Sequence, residues 1–361
     1  MKKRHTLTLI TLSMVLATTG AMAKPLKVYI LSGQSNMQGK ARPSTLPAMA
    51  MDPASKALHD KMVDAEGNIR VHEDIQLSYL TSSRGKSVVT NGSLGANAGS
   101  FGPELGFGVT MHEKLGEPIL IIKTAWGGKD INTDFRPPSA GPYYPDPSKV
   151  EDRMGNKGRI PAEKLIEAKE KKQHRYYNLM MEHVKKVLAN PGEYHPAYDP
   201  KEGYEVAGFV WFQGWNDMIS DHYPKLGRGK RAPREYSDYS NLMAHFIRDV
   251  RKDLDAPKMP FVIGVMGVGG NTDGDFQKAQ AAPAEMPEFK GNVAAVLTGK
   301  YWDTKLAELD SKKKSGTLTK EEQEYLKMAV SNASFHYLGS AKIYSCIGEA
   351  LAESILEMNP Q

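Results

Sequence analysis

The sequence predicts a three-layer α/β/α sandwich around a five-stranded parallel sheet. Five short apolar runs carry this expectation: "LKVYILSG", "PILIIKTA", "VAGFVWFQG", "PFVIGVMG" and "NVAAVLTG". Each is continuous rather than alternating, as strands buried on both faces must be. Each also runs into glycine or a small polar residue. Helical patterns lie between the runs, and alternation of strand and helix is the signature of a layered α/β protein.

Taken in order, the first run begins at Leu26 and is separated from the second by the helical pattern "PELGFGVTMHEKLG". "HRYYNLMMEHVKKVLAN" precedes the third run, and "YSNLMAHFIRDVRKDL" precedes the fourth. "LGSAKIYSCIGEALAESILEM" closes the chain and contains the single cysteine, Cys346, read as a small buried residue. One cysteine excludes an intramolecular disulfide. Two insertions interrupt the pattern, near residues 132–172 and 302–332. The first is rich in Pro, Gly and Tyr and follows the second run, where it is expected to shape a cleft. The rest of residues 24–361 reads as one domain without internal repeats.

The first 23 residues read as a secretory signal peptide. Lys2, Lys3 and Arg4 precede an apolar stretch from about Leu7 to Ala17, and Ala21-Met22-Ala23 is a cleavage pattern. That stretch is shorter than the roughly 20 apolar residues a spanning helix needs. Secretion or a periplasmic location follows, with Lys24 as the mature N-terminus and no membrane insertion after cleavage. The net charge is +5, and the signal contributes three of the basic residues and no acidic ones. The mature chain is therefore close to neutral, and no basic block argues for nucleic acid.

Right-handed crossovers place the carboxyl ends of parallel strands on one rim, where ligands bind. Four segments on that rim hold what an ester hydrolase needs. "GQSNM" places Ser35 just past the first strand, where a sharp turn exposes a hydroxyl and its own N–H can bind an oxyanion. "KTAWGGKDI" supplies Gly127 and Gly128, whose N–H groups can approach a ligand closely. "WFQGWND" supplies Asn216, an amide donor for developing negative charge. "SFHYLGSAK" places His336 before the last helix as the candidate general base. Gln34, Gln213, Trp126 and Arg136, beside these motifs, are candidate substrate contacts. "GVGGNTDGD" at 267–275 lacks the spacing of a phosphate loop and the ligand set of an EF-hand. No metal-ligand cluster is evident, and no cofactor is expected.

Together the four motifs resemble those of the SGNH hydrolase superfamily, which is named for Ser, Gly, Asn and His in this order. "GQSNM", "WFQG" and "FGPE" at Phe101–Glu104 make the chain similar to its sialate O-acetylesterase-like and carbohydrate esterase family 6 branch. The resemblance implies a flavodoxin-like fold and removal of acetyl groups from an O-acetylated carbohydrate. It implies Ser35 as nucleophile and His336 as base. The N–H of Ser35, a glycine N–H at 127 or 128, and Asn216 would form the oxyanion hole. The chain departs from the pattern at the acid. The usual Asp three residues before the His is Ala333, and the Glu that some relatives place after Gln-Gly is Trp215. Asp303, Asp217, Asn332 or a backbone carbonyl must then orient His336, and Asp303 is preferred. An esterase acting on another acyl ester, or a non-catalytic sugar-binding protein, are the alternative functions. The sugar, the acetylated hydroxyl and the oligomeric state are not encoded in these motifs.

Overall fold

A computed structural model of the chain describes residues 24–96, 99–143, 152–155, 158–220, 222–226 and 232–359. Residues 1–23, which the sequence reads as a signal peptide, lie outside the described residues, as does part of the first insertion. All five apolar runs are strands: β1 (Leu26–Gly33), β4 (Ile119–Ala125), β7 (Tyr204–Phe212), β8 (Phe261–Val265) and β9 (Val293–Leu297). The sheet has seven strands rather than five, because β2 (His72–Ser83) and β3 (Lys86–Leu94) extend one edge. Its order is β3-β2-β4-β1-β7-β8-β9, with every neighbouring pair parallel except the edge hairpin β2–β3. The extra strands carry no continuous apolar run. β2 buries Ile75 towards the helix Glu104–Leu115 and Ser78 towards the helix Arg175–Ala189, but both of its ends carry exposed polar residues, so no apolar run is continuous. A separate hairpin, β5 (Arg153–Gly155) with β6 (Gly158–Ile160), forms within the first insertion.

Strand alternation builds both helical layers. Tyr29 meets Phe107 of the helix Glu104–Leu115, at 5.5 Å between rings, while Ser32 points the opposite way and reaches Met180 of the helix Arg175–Ala189. On β7, Trp211 packs on Phe246 of the helix Ser237–Asp253, at 4.3 Å. Gly208 faces the other layer, where a Cβ would come within 2.3 Å of Ile355 on the final helix Ala341–Met358. Cys346 on that helix is half-buried rather than buried. The second insertion folds as the helices Thr304–Ser315 and Lys320–Ala329, capped by Asp303 and Thr319.

Register brings the motifs together. Gly33 at the end of β1 is level with Ala125 of β4 and Phe212 of β7. The segments carrying Ser35, Gly127 and Asn216 therefore leave the same rim side by side.

Candidate active site

Gly33 is required by close approach, since a Cβ there would lie 2.1 Å from the Phe212 carbonyl oxygen. The chain turns at Gln34 into a single helical turn, Ser35–Gln38. Ser35 opens that turn, so its N–H has no intrahelical partner. The residue is 8% exposed, and among the described residues no hydrogen bond occupies its hydroxyl. A Cβ on Gly127 would stand 3.7 Å from Ser35 Cβ, whereas one on Gly128 would meet open space. Of the glycine pair, Gly127 is the one against Ser35.

Asn216 is oriented by a chain of hydrogen bonds whose directions are forced. The Gly214 N–H donates to Gln34 Oε1 at 2.9 Å, which identifies that atom as oxygen. Gln34 Nε2 must then donate, and it does so to Asn216 Oδ1 at 2.9 Å. Asn216 therefore keeps its Nδ2 hydrogens, which bond no described residue. Gln213 Nε2 donates to Gln34 Oε1, to the Lys129 carbonyl and to Asp217 Oδ2. Gln34 and Gln213 are both fully buried, and these bonds use their amides. This corrects the expectation that they contact substrate: they hold the loop that carries Asn216.

His336 sits in a tight loop whose next three residues all have positive φ: Tyr337 at 48°, Leu338 at 61° and Gly339 at 58°. Two consecutive non-glycine residues there are strained, at about 1–2 kcal/mol each. Buried anchors hold them. Tyr337 is fully buried against Phe212 and Tyr344. The Gly267 N–H donates to its hydroxyl oxygen at 2.8 Å, and Thr298 Oγ1 lies 2.6 Å away. Leu338 packs into a small cluster with Ala48, Leu306 and Ala329. The Asn36 amide donates to the Phe335 carbonyl at 3.2 Å, tying the Ser35 turn to the His336 loop.

His336 Nδ1 lies 2.8 Å from Asn332 Oδ1. The same oxygen accepts the Ala333 N–H at 2.9 Å, so that atom is an acceptor. Nδ1 therefore carries the ring proton, leaving Nε2 as the free basic nitrogen. Burial, aided by the positive charge of Lys40, pushes the His336 pKa down to about 4. The imidazole is neutral at neutral pH.

Four further expectations are corrected. Asp303 does not orient His336: one oxygen caps the helix through the Leu306 N–H and the other pairs with Lys342 at 2.8 Å. Asp217 is fully buried and accepts from Ile131 N–H, Gln213 Nε2 and the Tyr223 hydroxyl, away from His336. Burial and the charge of Asp130 push its pKa up. Arg136 spends its guanidinium on the carbonyls of Asn132, Ala140 and Gly141, stapling its own loop. Trp126 is core, packed on Tyr176 at 5.1 Å and on Phe135 at 5.9 Å.

Partly exposed aromatic side chains line the site instead. Trp215 lies 5.8 Å from Phe335, whose ring is 4.3 Å from His336. Phe335 is 41% exposed. Asn36, Tyr337 and Thr298 are positioning residues that sequence reasoning missed, although Asn36 and Tyr337 stand inside the two motifs it singled out. Among the described residues no group of three or more His, Cys, Asp or Glu side chains converges to hold a metal.

The chain matches the family described as carbohydrate esterase, sialic acid-specific acetylesterase over residues 25–301. Among solved structures it is similar to a carbohydrate acetylesterase from Xanthomonas citri, at 15% identity and a TM-score of 0.48. That match covers 91% of this chain and 55% of the other, so the chain spans about half of that protein. A protein from Arabidopsis thaliana matches at 16% identity and a TM-score of 0.43, covering 92% of this chain and 98% of the other. No curated protein matches. The family match covers most of the chain, which belongs to the sialic acid-specific acetylesterase family of carbohydrate esterases.

Proposed function

We propose that the protein is an exported carbohydrate O-acetylesterase working through a Ser35 acyl-enzyme. The observation that carries this reading is the neutral imidazole of His336, its Nδ1 proton held by Asn332, on a loop tied to the Ser35 turn. His336 Nε2 takes the Ser35 proton as Oγ attacks the acetyl carbonyl. The resulting oxyanion is met by the N–H groups of Ser35 and Gly127 and by Asn216 Nδ2. His336 returns the proton to the departing sugar hydroxyl. Water, activated by the same base, then releases acetate and frees Ser35. Trp215 and Phe335 offer an aromatic wall for the apolar face of a sugar ring. The test is acetate release from a panel of acetylated xylan, O-acetylated sialic acid and acetylated uronic or sulfated polysaccharides. Turnover of at least one is expected, and silence on all of them and on a chromogenic acetyl ester overturns the reading.

The base makes a pH prediction. His336 is active when neutral, so kcat/KM should stay flat down to about pH 4 and fall below it as the ring protonates. Asn332→Asp keeps both hydrogen bonds to the side-chain oxygen and adds a negative charge at Nδ1. That charge favours the imidazolium, so the acid limb should move up by about one unit or more. It also supplies the carboxylate whose loss costs about 10⁴-fold in a serine triad, so kcat at pH 8 should rise about tenfold or more. A limb that stays put, measured across pH 3–8, means Asn332 does not hold the ring.

Export rests on the basic, apolar and small-residue order of the first 23 residues. N-terminal sequencing of the mature protein should begin at Lys24, and an intact Met1 would speak against cleavage.

A further inference from the structure

The second insertion does more than cover the fold. Its two helices and the segment Arg42–Ser44 after the Ser35 turn line a cleft of about 570 Å³ that opens to solvent. That volume lies within the range of sites that hold small ligands, about 300–1,000 Å³. Arg42, Lys313 and Lys327 line it with Ser44, Gln323 and Ser331, and no carboxylate does. The charges are not there merely to complement a helix end. At the C-terminus of Thr304–Ser315, Lys312 pairs with Glu322 and Lys314 with Asp310. Lys313, between them, faces the cleft. Lys327 pairs with Glu324, which does not line the cleft. Among the described residues Arg42 and Lys313 have no acidic partner.

The cleft adjoins the site described above. Ser331 donates to the carbonyls of Gly339 at 2.7 Å and Lys40 at 3.1 Å, fixing the loop. The next residue is Asn332, which holds His336. The cleft and the His336 loop share the segment Ser331–Asn332, and a polymer that continues over this segment from an acetylated residue at Ser35 and His336 meets Arg42 and Lys313. We propose that this cleft is a subsite for an anionic sugar residue, bearing a carboxylate or a sulfate ester, next to the acetylated one. The inference rests on the esterase reading for its place in catalysis. Arg42 offers a planar fork suited to either oxyanion, and Lys313 a point charge.

The test has a binding arm and a kinetic arm. By calorimetry, Ser35→Ala protein should bind an oligogalacturonate or a sulfated galactan oligosaccharide at least about tenfold more tightly than a neutral xylo-oligosaccharide at low salt. The preference should shrink as sodium chloride rises and screens the pairs. Adding Arg42→Gln and Lys313→Gln should bring the anionic ligand to the neutral affinity. In the active enzyme, the same pair of substitutions should lower kcat/KM on acetylated pectin, relative to kcat/KM on p-nitrophenyl acetate, about tenfold. Binding of only one of the two anionic oligosaccharides supports the subsite and identifies its anion. Equal binding of neutral and anionic oligosaccharides, or a preference insensitive to salt in the otherwise unaltered cleft, overturns it. Equal binding of a single-stranded oligonucleotide of the same charge also overturns it. Should p-nitrophenyl acetate not be turned over at all, the esterase reading fails while the binding arm still decides the subsite.

Discussion

Replacing Ser35 by alanine is expected to lower kcat for acetyl-ester hydrolysis by roughly four to six orders of magnitude, the loss seen when a serine nucleophile is removed. Of the residues brought together at the rim, Ser35 has a hydroxyl free of hydrogen bonds and lies against the Gly127 backbone. Because that hydroxyl bonds no described residue, its removal leaves no buried partner unsatisfied, and stability should change little. A fluorophosphonate probe should label the native protein at Ser35 by peptide mapping and leave Ser35→Ala unlabelled. Full acetate release by a Ser35→Ala protein with native circular dichroism would overturn the nucleophile assignment. The Gly127 N–H and the Asn216 amide, the proposed oxyanion donors, remain in this variant, so a residual rate above that of water is expected.

The central strands β1, β4, β7 and β8 were legible because burial on both faces demands continuous apolar runs, and the short edge strand β9 carries such a run although most of it is half-buried. The hairpin β2–β3 was not, because only three residues of β2 are buried and β3 is exposed along most of its length, so "HEDIQLSYLTSS" reads as polar. The four rim motifs were legible as types and places. What they touch was not. Asp303 has the right charge and lies on the rim, but its place immediately before the helix Thr304–Ser315 is an N-cap signature that the sequence did display. Lys342 occupies its other oxygen. Asn332 stood among several candidates. Only the turn closed by the His336 N–H on the Ala333 carbonyl, at 3.0 Å, brings the side chain of Asn332 onto the ring four residues later. Gln34 and Gln213 read as rim amides open to a ligand, since nothing in a sequence separates a buried, saturated amide from an exposed one. Arg136 misled for the same reason: its carbonyl partners lie within five residues but belong to the fold of its loop.

Asn216→Ala is expected to lower kcat about 10²–10³-fold with little change in KM, because its amide meets charge that exists only in the transition state. Asn216→Asp should be worse than alanine, since it puts a negative oxygen where a donor stood. The hydrogen-bond chain adds a sharper expectation. Gln34 Nε2 keeps Asn216 Oδ1 turned inward, so Gln34→Met should free the amide to rotate and cost about tenfold or more in kcat. With Asn216 already alanine, Gln34→Met should add little further loss of kcat, because the group it orients is gone. Stability separates this from a purely architectural role. Gln34→Met removes the acceptor for the Gly214 N–H and for Gln213 Nε2, at about 1–3 kcal/mol for a buried group left unsatisfied. It should therefore lower Tm. Asn216 is half-buried, and its alanine variant should melt close to the parent. If Asn216→Ala instead lowers Tm strongly while the folded fraction keeps its kcat, the amide supports the loop and takes no part in holding the oxyanion.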